Sequence, residues 1–414
     1  MKNLLNKQTI NNIKKQEIPI IIFGAGIVGE VLFYACREAG IKVECFCDNN
    51  INKTKSPKCG INVIYTPDLK KKYQDAIFLI SAADIKDVIQ QLNDLRYPKW
   101  YSCNFLLRDF DIYQCQFDVP MDFVEYGVST CILCHDNYLT PDKLFLRSAD
   151  IIITERCSLK CKDCSNLTQY YKNPRDCDIK ELIKSIDAFC TIIDEINEFR
   201  VIGGELFMNK DFDLVIKKLS NEPKVRKIVI YTNGTIIPKD EKIECLKNNK
   251  ILFIITDYGM LSKNLDALVQ KLSTNNIAFY VQKAHGWTDC AKIGRHHRNI
   301  EQEKEIFKKC CAKNTVTISN GKLYRCPFAA NAARLQAAPD FKDDYINFLR
   351  ELRENINISE TKKKIRAFLL EKEFLKTCDF CNGRSFEDPE ITPAIQTDKP
   401  LEYKKFNNGY KKNN

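Results

Sequence analysis

Residues 151 to 164 read Ile151-Ile-Ile-Thr-Glu-Arg-Cys157-Ser-Leu-Lys-Cys161-Lys-Asp-Cys164. A short run of β-branched residues has the composition of a buried strand, and the polar stretch behind it reads as a loop at that strand's carboxyl end. Three thiols on one loop can hold a metal centre and leave one coordination position open. A closed structural zinc site wants four protein ligands, and no fourth Cys or His lies close by in sequence.

Beyond this loop the chain alternates. A helix near 179–196 is followed by a strand at 199–202, a helix from about 211 and a strand at 227–231. A helix near 239–247, a strand at 251–256, a helix near 261–272 and a strand at 277–281 complete the series. Such alternation predicts parallel strands with crossover helices. Five or six repeats suit a partial barrel whose site lies at the carboxyl ends of its strands. The strand ends are polar: Gly203-Gly204-Glu205, then Tyr231-Thr-Asn233-Gly, then Ile255-Thr-Asp257-Tyr-Gly. Glycines there expose backbone groups to a ligand, and Glu205 can take an ammonium; a tight turn with a solvated Glu is the alternative. Asn233 and Asp257 suit a ribose or a carboxylate.

In its ordered pair of motifs, CxxxCxxC and then Gly-Gly-Glu, the stretch 151–282 resembles the radical S-adenosylmethionine superfamily. The resemblance implies a [4Fe–4S] cluster on Cys157, Cys161 and Cys164, with S-adenosylmethionine chelating the open iron. Gly203, Gly204 and Glu205 would then hold its amino group, and Asn233 or Asp257 its ribose or carboxylate. It also implies a 5′-deoxyadenosyl radical that takes a hydrogen atom from an unactivated carbon, and a flavodoxin- or ferredoxin-type electron donor. One departure is Asp163, where the family usually has an aromatic.

A second cysteine set follows: Cys310-Cys311, then Asn320-Gly-Lys-Leu-Tyr-Arg-Cys326, then Cys378-Asp-Phe-Cys381. Four thiolates can close a second cluster, and zinc is the alternative. The layout resembles the SPASM/twitch auxiliary domains of the same superfamily. No Cys follows Cys381, which implies the twitch version with one auxiliary [4Fe–4S] cluster on Cys310 or Cys311, Cys326, Cys378 and Cys381.

At the other end, the apolar run 19–23 leads into Gly24-Ala-Gly26-Ile-Val-Gly29 and a helix-period segment, and Asp48 closes a second strand nineteen residues beyond Gly29. Strand, glycine turn and helix are the setting of a dinucleotide fingerprint, with pyrophosphate over the helix start and Asp48 on a ribose hydroxyl. The stretch Phe46-Cys-Asp48-Asn resembles a Rossmann-like domain of surface-polysaccharide proteins, so NAD and a nucleotide-sugar are both candidate ligands, as is an empty pocket. Residues 100–148 show no clear period. Within them Cys131-Ile-Leu-Cys134-His135 has the spacing of haem attachment, but such attachment needs export and these read as structural cysteines.

Composition sets the limits. The 414 residues include 20 Cys, about 5%, which in a reducing compartment points to metal rather than disulfides. The net charge of +10 is spread along the chain, unlike the concentrated stripe of a nucleic-acid binder. No apolar run reaches the ~18 residues of a membrane span, and Met1 to Gln16 holds no apolar signal core. A cytoplasmic protein with no nucleic-acid or membrane partner is expected. Arg295 and Arg298, in a basic stretch after the last barrel strand, read as phosphate contacts on the substrate face or as a solvated loop.

The fold class expected is α/β. A Rossmann-like doubly wound domain (1–110) and a connector (111–148) precede a partial (β/α)6 TIM-type barrel (149–300). A small cysteine-rich α+β auxiliary-cluster domain (301–390) and a basic tail (391–414) follow. The function expected is a radical S-adenosylmethionine oxidoreductase that modifies, by dehydrogenation in one reading, a sugar or nucleotide-sugar in polysaccharide biosynthesis. A peptide-modifying maturase and a non-catalytic zinc scaffold are the alternatives.

Overall fold

Strands Ile20–Phe23 (β1), Cys45–Asp48 (β2) and Ile77–Ile80 (β4) are buried at every position, as parallel strands covered on both faces must be. With Val63–Tyr65 (β3) and Trp100–Ser102 (β5) they make a parallel sheet in the order β3-β2-β1-β4-β5. Ile20, Ile22, Phe46 and Leu79 pack with residues of helices Ile27–Glu38 and Met121–Leu139, while Ile21, Phe23, Phe78 and Ile80 pack with those of helix Ile85–Asp94. The strand order reverses between β1 and β4, where doubly wound sheets open a crevice at their carboxyl edge. This is the first of two units, Met1–Lys143 and Leu144–Asn414, in a computed structural model that describes residues 4–354, 357–385 and 387–406.

Helix Met121–Leu139 lies in the stretch that shows no clear period. Its buried positions are Val124, Val128, Thr130, Cys131, Cys134 and His135, apolar and polar together, so no simple apolar stripe marks it. The His135 ring is held at both nitrogens, 2.9 Å from Ser102 Oγ and 2.8 Å from the Ala82 carbonyl, and Cys131 Sγ lies 3.6 Å from Cys103 Sγ. These contacts staple the helix to the ends of β4 and β5.

The second unit is built on an eight-stranded sheet. Phe145–Thr154 (β6), Glu195–Gly203 (β7), Val225–Thr232 (β8), Ile251–Asp257 (β9) and Phe279–Lys283 (β10) run parallel in sequence order. The pair Trp287–Thr288 (β11) and Glu390–Ile391 (β15) stands apart as a two-stranded ribbon. Helices Ile179–Ile192, Phe212–Ser220 and Leu265–Thr274 cover the outer face; the helix expected at 239–247 is a single turn, Asp240–Ile243, followed by a 3-10 turn. Strand β7 begins before its expected start because Glu195, Asn197 and Glu198 are buried within it, Glu195 paired with Arg226.

Val316–Ser319 (β12) pairs in parallel with β6, and Lys322–Tyr324 (β13) and Tyr345–Ile346 (β14) extend the sheet antiparallel. The sixth parallel strand therefore comes from beyond residue 300. Its Val316 and Ile318 share one core with Ile151 and Ile153, and it covers an edge of β6 that would otherwise expose unpaired N–H and C=O groups. The charged stretch 343–376 holds two helices, Phe348–Arg353 and Ile358–Leu370; residues 355 and 356 between them, and 407–414 of the basic tail, lie outside the described residues. Among the described residues no helix is long and apolar enough to cross a membrane.

Candidate metal and cofactor site

The cysteine loop leaves the carboxyl end of β6 under tight control. The Thr154 hydroxyl donates to Asp176 at 2.7 Å and accepts the Arg156 N–H at 3.0 Å, and the Arg156 guanidinium pairs with Asp176 at 3.0 Å. The end of β7 runs against this root: the Gly204 N–H donates to Thr154 O at 2.9 Å and the Glu205 N–H to Arg156 O at 2.8 Å. A Cβ on Gly203 would lie 2.3 Å from Thr154 O, and one on Gly204 1.9 Å from Arg156 O. The two glycines are there because the loop passes too close for any side chain.

Glu205, expected to take an ammonium or to sit solvated in a tight turn, is not solvated. It is 1% exposed. Its carboxylate accepts the Thr232 hydroxyl at 2.8 Å and the Asn233 N–H at 3.0 Å. Burial pushes it up to about 7 against the pull of these donors. Its place is therefore to hold the turn after β8. That turn aims Asn233 at the loop: the amide donates to Ser158 Oγ at 3.2 Å and to Cys157 Sγ at 3.6 Å. Asp257, at the end of β9, accepts the Gly259 N–H at 2.7 Å. Tyr258 beside it packs edge-on to Trp287, 5.9 Å between rings, in an apolar group with Cys157, Cys161, Cys164 and Leu159. Sequence reasoning passed over Tyr258; its signal was its place just past a strand's carboxyl end.

Burial pushes the Cys157 thiol up to about 12 and Cys161 to about 11. Thiolates at neutral pH therefore need a cation among them, and the donor set suits a thiolate-ligated iron–sulfur cluster.

Cys310, Cys326, Cys378 and Cys381 line one cavity, together with Cys290, which sequence reasoning did not single out. Cys311 is exposed, and its N–H donates to Arg384 O at 2.7 Å. Backbone N–H groups meet two of the cavity sulfurs, Ala329 on Cys326 at 3.4 Å and Gly383 on Cys381 at 3.3 Å. Ser165, the neighbour of Cys164, lies in the wall of the same cavity.

Arg295 and Arg298, read as phosphate contacts or a solvated loop, both reach the CxxC turn, Arg295 from an exposed position. The Arg298 guanidinium donates to the carbonyls of Cys378 and Cys381 at 2.8 and 2.9 Å, its N–H donates to Asp379 at 2.7 Å, and Arg295 reaches Asp379 at 3.4 Å. The acceptors inside the CxxC turn engage both side chains.

In the first unit Gly24 has φ +109°, and a Cβ on Gly29 would lie 2.0 Å from Gly24 O, so the turn packs hard on the helix it opens. Gly26 is different. A Cβ there would meet only the Lys53 ammonium, at 3.9 Å, leaving open space above the start of helix Ile27–Glu38. Asp48, expected on a ribose, accepts the Ala25 N–H, the Lys53 ammonium and the Asn50 N–H, each at 2.9 Å. It braces the glycine turn.

Residues 151–257 match the Radical SAM superfamily model. That stretch is similar to the radical SAM superfamily. The match indicates an enzyme, and the superfamily implies a [4Fe–4S] cluster and S-adenosylmethionine. Residues 14–100 match a second family, C2185-like, N-terminal. The chain is 32% identical over 90 residues to GTP 3′,8-cyclase of Stenotrophomonas maltophilia, 21% of this chain and 26% of that protein. It is 28% identical over 138 residues to the GTP 3′,8-cyclase of Clostridium acetobutylicum, 30% of this chain and 43% of that one. The chain thus spans less than half the length of these relatives. Among solved structures it is similar to BtrN in complex with AdoMet and 2-DOIA, with 16% identity, a TM-score of 0.37, and coverage of 63% of this chain and 99% of that one. It is also similar to Streptococcus suis SuiB bound to S-adenosylmethionine, with 12% identity, a TM-score of 0.26, and coverage of 59% and 71%.

Proposed function

We propose that the chain is a radical S-adenosylmethionine oxidoreductase that dehydrogenates a sugar or nucleotide-sugar in surface-polysaccharide biosynthesis. Cys157, Cys161 and Cys164 hold the first [4Fe–4S] cluster. Gly203 and Gly204 form the amino-group side of the S-adenosylmethionine site with Glu205, which acts through the Thr232–Asn233 turn it fixes; Asn233 and Asp257 flank the ribose and carboxylate side. When bound, cluster and cofactor together supply a 5′-deoxyadenosyl radical. A twitch-type auxiliary [4Fe–4S] cluster sits on Cys310, Cys326, Cys378 and Cys381. Oxidising an alcohol carbon to a carbonyl removes one hydrogen atom, then a proton and an electron, and this second centre is the electron's acceptor.

The observation that carries the reading is that Ser165, next to Cys164, shares a cavity wall with the second thiol set. Spacing favours a cluster over zinc for that set. A Zn–S bond of about 2.3 Å brings tetrahedral sulfurs within about 3.8 Å of one another. Among the described residues, the only three or more potential ligand atoms within 4.8 Å of one another are those of Cys103, Cys131 and His135, whose ring nitrogens are already hydrogen bonded. The Rossmann-like first unit takes the nucleotide part of the substrate, or NAD, over Gly26, supported by the open space there and the reversal of strand order beside it. A flavodoxin- or ferredoxin-type protein supplies the reducing electron.

Anaerobic reconstitution with iron, sulfide and reductant tests this. Two clusters' worth of iron per chain and release of 5′-deoxyadenosine with methionine are expected. Zinc without iron after anaerobic purification would establish the scaffold reading instead.

A further inference from the structure

Beyond β15 the chain returns to the cysteine loop. The Lys162 N–H donates to Ile395 O at 2.7 Å and the Thr397 N–H to Lys160 O at 2.8 Å, which sets Gln396 across an antiparallel bridge from Cys161. Ala394 turns the strap inward at φ +55° and is buried against Leu159 and Cys161. Farther on, the Leu401 N–H donates to Gln169 O at 2.8 Å and the Tyr403 hydroxyl to Leu335 O at 2.9 Å, so the strap is tied down on both sides of Gln396.

Chemistry decides the orientation of the Gln396 amide. Its Oε1 accepts the Lys160 N–H at 2.7 Å, and its Nε2 donates to Ala394 O at 2.7 Å. A flipped amide would set donor against donor and acceptor against acceptor. The Nε2 group also meets Cys161 Sγ, at 3.4 Å. With one hydrogen committed to Ala394, the other points at the sulfur.

We propose that Gln396 is a positioning residue of the radical cluster, donating an N–H to the Cys161 sulfur and thereby setting that cluster's reduction potential. The inference rests on the reading of Cys161 as an iron ligand. One-electron reduction places more negative charge on the cluster and its thiolates. A donor aimed at a ligand sulfur stabilises the reduced form more than the oxidised one and raises the potential.

Two variants of the full chain, reconstituted anaerobically, test it at pH 8. In Gln396→Glu a carboxylate still accepts from Lys160 but brings no donor to the sulfur; in Gln396→Leu both bonds are gone. An EPR-monitored redox titration without S-adenosylmethionine reads the midpoint of each cluster. The expected result is a negative shift of the radical cluster in both variants, larger in Gln396→Glu, with the auxiliary cluster unmoved. A tenfold loss in the reduction equilibrium would read as about 59 mV. A wild-type midpoint in Gln396→Glu overturns the inference. So does loss of the radical cluster from both variants with an unchanged fold by circular dichroism, which would make the strap a holder only. A wild-type chain that takes up no [4Fe–4S] cluster would instead sink the radical reading itself.

Discussion

The carboxylate of Glu205 accepts the backbone N–H of Asn233 at 3.0 Å across 28 residues of chain, joining the end of β7 to the turn after β8. Because that turn also points the Asn233 amide at Ser158 and Cys157, one buried acid couples two strand ends to the cysteine loop. Gln at position 205 keeps a single acceptor oxygen and turns an NH2 toward donors. At pH 8, where the carboxylate is ionised, Glu205→Gln is expected to cost about 1–3 kcal/mol of stability and to weaken S-adenosylmethionine binding. Denaturation and equilibrium dialysis check the two; wild-type values in both would remove Glu205 from this role.

The glycines divide into two kinds, and alanine tells them apart. Gly204→Ala drives a methyl into the Arg156 carbonyl at 1.9 Å, backbone that cannot yield cheaply, and is expected to destabilise by more than about 3 kcal/mol and to abolish iron loading at the first site. Gly26→Ala meets nothing closer than 3.9 Å. It is expected to leave melting unchanged while reducing any thermal stabilisation by nucleotide-sugars or NAD. An equal loss of stability in both variants would contradict the distinction.

Parallel strands buried on both faces leave a strong trace in sequence, which is why Ile20–Phe23 and the parallel strands of the second unit could be read from short apolar runs bounded by turns. Cysteine spacing marked the candidate ligand loops for a similar reason, since a metal needs its donors close in space and a tight loop supplies them close in sequence. Contacts between distant segments leave no such trace. The pairing of Val316–Ser319 with β6, the approach of Gln396 to Cys161 and the place of Cys290 among the cavity thiols each join residues far apart in the chain. Arg298 was legible as a cation, yet its partners are two backbone carbonyls, which carry no residue identity. Helix Met121–Leu139 escaped because its buried set mixes polar and apolar side chains.

Cys310 and Cys311 are adjacent but face different surroundings. Cys310 lines the cavity and Cys311 is exposed. With two [4Fe–4S] clusters, as proposed, Cys310→Ser is expected to lose about half of the chain's iron, while Cys311→Ser keeps it. Iron and sulfide analysis of the reconstituted variants decides; the reverse pattern would move the ligand to Cys311.

Asp150 and Arg200, on neighbouring strands β6 and β7, pose a contest between burial and charge. The guanidinium lies 2.5 Å from a carboxylate whose side chain is only 2% exposed. Burial wins, pushing Asp150 up to about 6 even with Arg200 pulling down. The sign follows: a carboxyl held above its unfolded value of about 3.9 favours folding most below that value, and its contribution fades as pH rises through 6. Asn imitates the protonated acid at every pH. Urea denaturation of wild type beside Asp150→Asn is therefore expected to show the wild type losing ground by about 1 kcal/mol between pH 5 and 7. Glu205 titrates in the same range but cancels in the difference. If the wild type instead gains on the variant as pH rises, the Arg200 charge outweighs burial, and the carboxylate is held below its unfolded value.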